Sequence, residues 1–131
     1  MIKVADLRRL AGARLKDAQV LLRAQRFDGA VYMVGYSVEI ALKARLCKTL
    51  RWAEFPSTPG EFKDLASFRI HKLPMLLRLS GRDQLVKTKY FAEWSAVVAW
   101  DTETRYRPAG STSRYDAEIM ILSAKTLLKV L

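Results

Sequence analysis

The chain has 131 residues, 50% of them hydrophobic and 27% charged, with 23 Lys and Arg against 13 Asp and Glu for a formal net charge of +10. That length suits one compact domain with a single core, and the composition excludes the disordered and membrane-spanning classes, since no apolar run reaches transmembrane length. A basic excess attracts polyanions such as nucleic acid, nucleotides or an acidic partner, although charges dispersed along a chain also serve plain solubility.

Residues Met1 to Asp6 run straight into a charged helical pattern without a signal-peptide core, so a cytoplasmic protein is expected, with no membrane contact. Leu7, Leu10, Ala11, Leu15, Ala18, Leu21 and Leu22 recur at helical spacing and predict an amphipathic first helix from about Val4 to Gln25. Arg26-Phe27-Asp28-Gly29 forms a tight turn with Asp28 as a candidate N-cap, which implies an antiparallel helical hairpin. The second helix, from about Gly29 to Leu50, is apolar or small on almost every side and should lie between other helices. Gly35 inside it reads as a packing notch, because a helical glycine costs roughly 1 kcal/mol unless close packing compensates. The same helix carries Glu39 and Lys43 one turn apart, and charges on a buried helix must pair, reach an edge or line a cleft. Cys47 is the only cysteine, which excludes an internal disulfide and suits a small buried hydrophobe.

Between Arg51 and Arg69 the periodicity disappears, and Pro56-Ser57-Thr58-Pro59-Gly60 rules out a continuous helix. Trp52, Phe55, Phe62 and Phe68 are too many aromatics for a solvated linker, so this loop should lie against the bundle. A short helix follows over Lys72 to Leu79 with Pro74 in its first turn, ended by Ser80-Gly81. A long aromatic helix is predicted from about Asp83 to Trp100, then a polar loop from Thr102 to Ser113, then a last helix to about Lys129 started by Ser113 or Asp116. No stretch alternates as a strand requires, so the expectation is a single all-α domain over residues 1–131, an up-down bundle of about five helices.

One histidine, one cysteine and no close cluster of carboxylates leave too few ligands for an ordinary zinc or di-iron site, and no glycine-rich phosphate loop or serine elbow is present. No metal, cofactor or catalytic constellation is therefore expected. The remaining signals are Glu39, Lys43, His71 and the Arg105-Tyr106-Arg107 loop. His71 precedes a helix and can cap it, pack, or act. Arg105 can pair with a phosphate and Tyr106 can stack on a base, or the loop can be anchored by a carboxylate.

Several segments in order resemble a HEPN domain: a basic first helix, then Arg26-Phe27-Asp28-Gly29-Ala30-Val31-Tyr32, then Tyr36-Ser37-Val38-Glu39-Ile40-Ala41-Leu42-Lys43-Ala44. His71-Lys72-Leu73-Pro74-Met75-Leu76-Leu77 is similar to the family's His-x-Leu segment, and Trp100 followed by Arg105-Tyr106 precedes a final alanine-rich helix. The resemblance implies a helical bundle, frequent dimers, and occurrence beside minimal nucleotidyltransferases in prokaryotic toxin and antitoxin pairs. Some members are RNases whose arginine stands four to six residues before a histidine. Here Asp64, Leu65 and Ala66 occupy the positions that arginine would need relative to His71, so that motif is missing.

The expected function is accordingly a noncatalytic HEPN-type module, a homodimer that binds a nucleotide or RNA, or a nucleotidyltransferase partner, in a toxin-antitoxin or defence setting. Lys43, His71, Arg105 and Tyr106 are its candidate ligand contacts, with Glu39 orienting Lys43 and Arg107 adding to the basic loop. Two alternatives stay open. One is a metal-independent RNase toxin with an atypical site built from His71 and Arg105 across a dimer; the other is a structural dimerisation scaffold in which Glu39 and Lys43 merely pair.

Overall fold

A computed structural model describes residues 1–131 as an all-α bundle with six helices: α1 Val4–Arg23, α2 Phe27–Leu50, α3 Leu73–Ser80, α4 Asp83–Lys89, α5 Phe91–Val97 and α6 Arg114–Val130. Two short 3-10 turns lie at Ala66–Phe68 and Thr102–Tyr106. One feature departs from the strand-free expectation: β1, Ile2–Lys3, pairs antiparallel with β2, Glu54–Phe55, with Ile2 opposite Phe55 and Lys3 opposite Glu54. Strands of two residues are too short to show alternation in a sequence. No helix is long and apolar enough to cross a membrane.

Helix α2 is the central element, packed by α1, α3 and α6. Its Val34, Val38, Leu42 and Leu46 are fully buried together with Leu73, Leu76, Leu77 and Leu127. Such a helix needs apolar residues on nearly every side, as its sequence has. Cys47 is buried in it, and burial pushes the thiol up to about 11, so little thiolate is present at neutral pH. The first helix stops at Arg23 rather than Gln25, because Gln25 adopts a left-handed backbone with φ 60. Asp28 is not the N-cap. It lies within the first turn of α2, and its carboxylate accepts hydrogen bonds from Gly110 N at 2.7 Å and Thr112 N at 3.1 Å. Those donors, Gly110 first, hold the Asp28 carboxyl below its ordinary value, and they tie the far polar loop to the start of α2.

The long aromatic helix expected from Asp83 to Trp100 is instead two, bent at Tyr90 with φ -127 and ψ 34. This accounts for six helices where five were expected. The bend leaves little trace in the apolar spacing, because Tyr90 N still bonds Val86 O and Trp94 N still bonds Tyr90 O, both at 2.9 Å. Trp100 then falls beyond α5, 4% exposed, with its indole seated on Gly35. Elsewhere the sequence signals hold: Gly81 closes α3 in the left-handed region with φ 74, and Ser113 Oγ caps α6 by accepting from Asp116 N at 3.1 Å.

A Cβ at Gly35 would fall inside the Trp100 ring, so the notch is steric rather than conformational. Gly35→Ala should lower unfolding stability by roughly 3 kcal/mol, toward the upper end of overpacking effects, despite alanine's better helix propensity. Urea unfolding measures it, and a neutral or stabilising result would mean that Trp100 is not seated there.

Candidate functional site

The site begins with a stripe on α2. Tyr32, Tyr36, Glu39 and Lys43 follow one another at four-, three- and four-residue steps and therefore share one face of the helix. Ser37 Oγ donates to Ala11 O at 2.6 Å, which locks the register of α1 against α2 and carries Arg14 to the same region. The Glu39 side chain is 1% exposed. Its Oε1 accepts from Lys43 Nζ at 2.6 Å and contacts His71 Nδ1 at 2.8 Å, while Oε2 is buried without a partner. A buried carboxylate left alone would be prohibitively costly, so these two contacts are what permit Glu39 at the centre of the bundle.

His71 is brought in by the segment that leads into α3, whose Leu73, Leu76 and Leu77 are fully buried. The aromatic loop before it packs as its composition requires, with Trp52 edge-on to Phe68 at 4.9 Å and Phe55 edge-on to Phe62 at 5.9 Å. His71 does not cap α3, since the N-cap is Lys72 and makes no side-chain cap bond. Its ring is 55% exposed and lines a cleft, with one nitrogen held by Glu39 and the other free of the fold. Against a carboxylate oxygen Nδ1 is the donor, which leaves Nε2 available to a ligand.

The cleft has a volume of about 580 Å³ and is lined by Arg14, Tyr32, Tyr36, Glu39, His71 and Arg105, with Leu10, Met33 and Thr102 completing it. Arg105 lies on the 3-10 turn Thr102–Tyr106. That turn is fixed by a capping box, in which Asp101 Oδ1 accepts from Glu103 N at 2.8 Å and Thr104 Oγ1 accepts from Asp101 N at 3.4 Å. Tyr106 first, and Tyr32 second, favour the charged form of Arg105. Tyr32 is set against Trp100 at a ring separation of 6.0 Å, so the Gly35 notch also helps position the cleft wall. Burial first, and the nearby Glu39 charge second, raise the Tyr36 phenol above its ordinary value and keep it a neutral donor.

Of the residues singled out in the sequence, the cleft brings together Glu39, His71 and Arg105. The other three lie elsewhere. Lys43 meets Glu39 on the same Oε1 as His71, with its ammonium 5.6 Å from the Phe55 ring centre, and it lines an adjoining depression beneath the aromatic loop that shares Leu10, Tyr36 and His71 with the cleft. Tyr106 is 71% exposed with Arg105 5.0 Å from its ring, and Arg107 lies over the groove between α5 and α6. His71 and Arg105 share the cleft of one subunit, so no dimer is needed to bring them together. Arg14, Tyr32 and Tyr36 were missed. The helical stripe ending in Glu39 would have found both tyrosines, whereas Arg14, paired with Asp17 at 2.5 Å, reads in sequence as one more surface charge.

Chemically the cleft offers two guanidiniums, two phenols, an oriented imidazole and a buried carboxylate. Arginine matches phosphate oxygens by charge-assisted bonds, and tyrosine offers a ring face to a base. Glu39 and His71 are the only lining residues of a usual metal-ligand type, and they are already bonded to each other.

In comparison with known families, the model described as HEPN domain matches residues 4–131. No curated protein and no solved structure matches the chain.

The ion pair makes its own prediction. Lys43→Met should cost about 2 kcal/mol in urea unfolding, less than the loss of a sole buried partner because His71 stays on the same oxygen. Adding Glu39→Leu should recover at least half of that loss, since the orphaned carboxylate goes with it; a neutral Lys43→Met would show that the pair contributes nothing.

Proposed function

The chain belongs to the HEPN domain family, and on that premise we propose that its cleft is a noncatalytic binding site for a nucleotide or RNA. The observation that carries this reading is the convergence of Arg14, Arg105 and His71 around Tyr32 and Tyr36 in one cleft of about 580 Å³. That volume lies within the range of small-molecule sites, and its polar groups are few and convergent. In this reading the two arginines hold phosphate, the tyrosines contact a base, and the open imidazole nitrogen of His71 takes a further ligand hydrogen bond. Glu39 is a positioning residue that fixes the His71 ring. The net charge of +10 supports it by drawing a polyanion toward the protein. The protein works in the cytoplasm as a homodimer, with a nucleotidyltransferase as its protein partner and a toxin-antitoxin or defence system as its setting; these parts rest on the family alone.

A second reading, a metal-independent RNase, is favoured by one specific contact, the His71–Glu39 bond of 2.8 Å, which leaves an oriented general base beside two arginines. It lacks a second proton-transfer group. Tyr36 is a poor acid with its raised pKa, and Lys43, which is bonded to Glu39, does not line the cleft.

Titration calorimetry at low salt with ATP, GTP and a short single-stranded RNA tests the binding reading. At least one should bind, and Arg105→Gln or Arg14→Gln should each weaken it about tenfold, the scale of one charge-assisted bond. If none of the three binds and none raises the melting temperature, the cleft is not a nucleotide or RNA site. RNA cleavage by purified protein that is lost in the His71→Ala, Arg105→Ala double variant would replace this reading with the second.

A further inference from the structure

Three other arginines are gathered by the fold, and none of them is paired with an acidic side chain. Arg8, Arg45 and Arg82 come from α1, α2 and the turn between α3 and α4, and none of them lines the cleft. Their convergence follows from the packing. Thr49 Oγ1 donates to Ser80 O at 2.5 Å and Arg82 N donates to Ser80 Oγ at 3.2 Å, so that turn is pinned to the end of α2, one helical turn beyond Arg45. The Ser37–Ala11 bond sets α1 antiparallel to α2, which brings Arg8 toward the turn that carries Arg45. From there Arg8 Nη2 donates to Leu131 O at 2.8 Å, at the end of α6.

All three are partly buried, and none forms a salt bridge. The Nε atoms of Arg45 and Arg82 are buried with no acceptor. Burial first, then the charges of Arg82 and Arg8, push the Arg45 guanidinium below its ordinary value, and burial does the same to Arg8. Protein interiors rarely keep cations together without a carboxylate, because repulsion and desolvation both oppose it. An anion held among them would offset both.

We propose that Arg8, Arg45 and Arg82 form a second anion site, separate from the cleft, that binds a phosphate group. A carboxylate carries one charge and two oxygens and satisfies about one guanidinium fork. A phosphate carries more charge and enough oxygens to engage forks arriving from three elements. The group can come as free phosphate or pyrophosphate, or as a phosphate of an RNA backbone. The site does not depend on the cleft holding a nucleotide.

The full chain carrying Arg14→Gln and Arg105→Gln silences the cleft and serves as the parent for the test. Inorganic phosphate, pyrophosphate and a short single-stranded RNA are titrated calorimetrically in a low-salt chloride buffer. At least one should bind, and Arg45→Gln or Arg82→Gln should each weaken it about tenfold. Both variants should melt no lower than the parent without a probe, because each removes a repulsion. Arg45→Lys keeps the charge and should still weaken binding several-fold, since the planar fork is lost. Binding of phosphate or pyrophosphate identifies a free ion as the occupant, and binding of RNA alone identifies a backbone phosphate. Absence of binding by all three probes, or undiminished binding in the Arg45→Gln, Arg82→Gln double variant, overturns the proposal.

Discussion

The cleft depends on one buried carboxylate. Glu39 lies at the centre of a helix that is otherwise built to exclude water, and it is retained because Lys43 and His71 both meet its Oε1, at 2.6 and 2.8 Å. Neither partner is interchangeable with the other. Lys43 comes from the same helix and supplies charge locally, while His71 comes from 32 residues away and pins the whole segment entering α3. A hydrophobic residue at this position would pack at least as well, since buried ion pairs seldom add net stability. What the carboxylate adds is orientation, because it fixes which face of the only histidine turns toward the cleft.

The opposite wall of the cleft is held by a steric device. Gly35 admits the Trp100 indole, Trp100 meets Tyr32, and the chain immediately beyond Trp100 becomes the capped turn that carries Arg105. Asp28 ties the end of the same loop back to α2 through Gly110 and Thr112. The arginine is thus mounted on backbone that is hydrogen-bonded at both ends. A cationic wall and an oriented imidazole face each other across two tyrosines, each held by a different kind of interaction.

Much of this was legible in the sequence, and the failures have physical causes. The buried α2, the Gly35 notch, the aromatic loop lying on the bundle and the Ser113 cap all follow from local spacing or residue type, and the structure has them. The HEPN resemblance rested on the same segments. The Tyr90 bend was not legible because the apolar spacing runs through it. Asp28 was misread because a carboxylate beside a helix start looks like a cap, whereas its actual donors lie more than 80 residues away, with separations of 82 and 84. Sequence neighbours suggest Lys43 and Tyr106 as ligand contacts but not their placement: Lys43 bonds Glu39 and lines the adjoining depression, and Tyr106 is exposed. Arg14 joined the cleft through helix register, which no single helix encodes.

Because His71 is the only histidine, its tautomer reports directly on the central contact. Nitrogen-15 NMR of the neutral ring distinguishes the two nitrogens. The Glu39 contact requires the proton on Nδ1, with Nε2 bare and facing the cleft, and Glu39→Leu should return the ring to the mixture of a free histidine. A proton found on Nε2 in the unaltered protein would contradict the account, because the buried carboxylate would then hold Lys43 alone and the imidazole would have no fixed orientation.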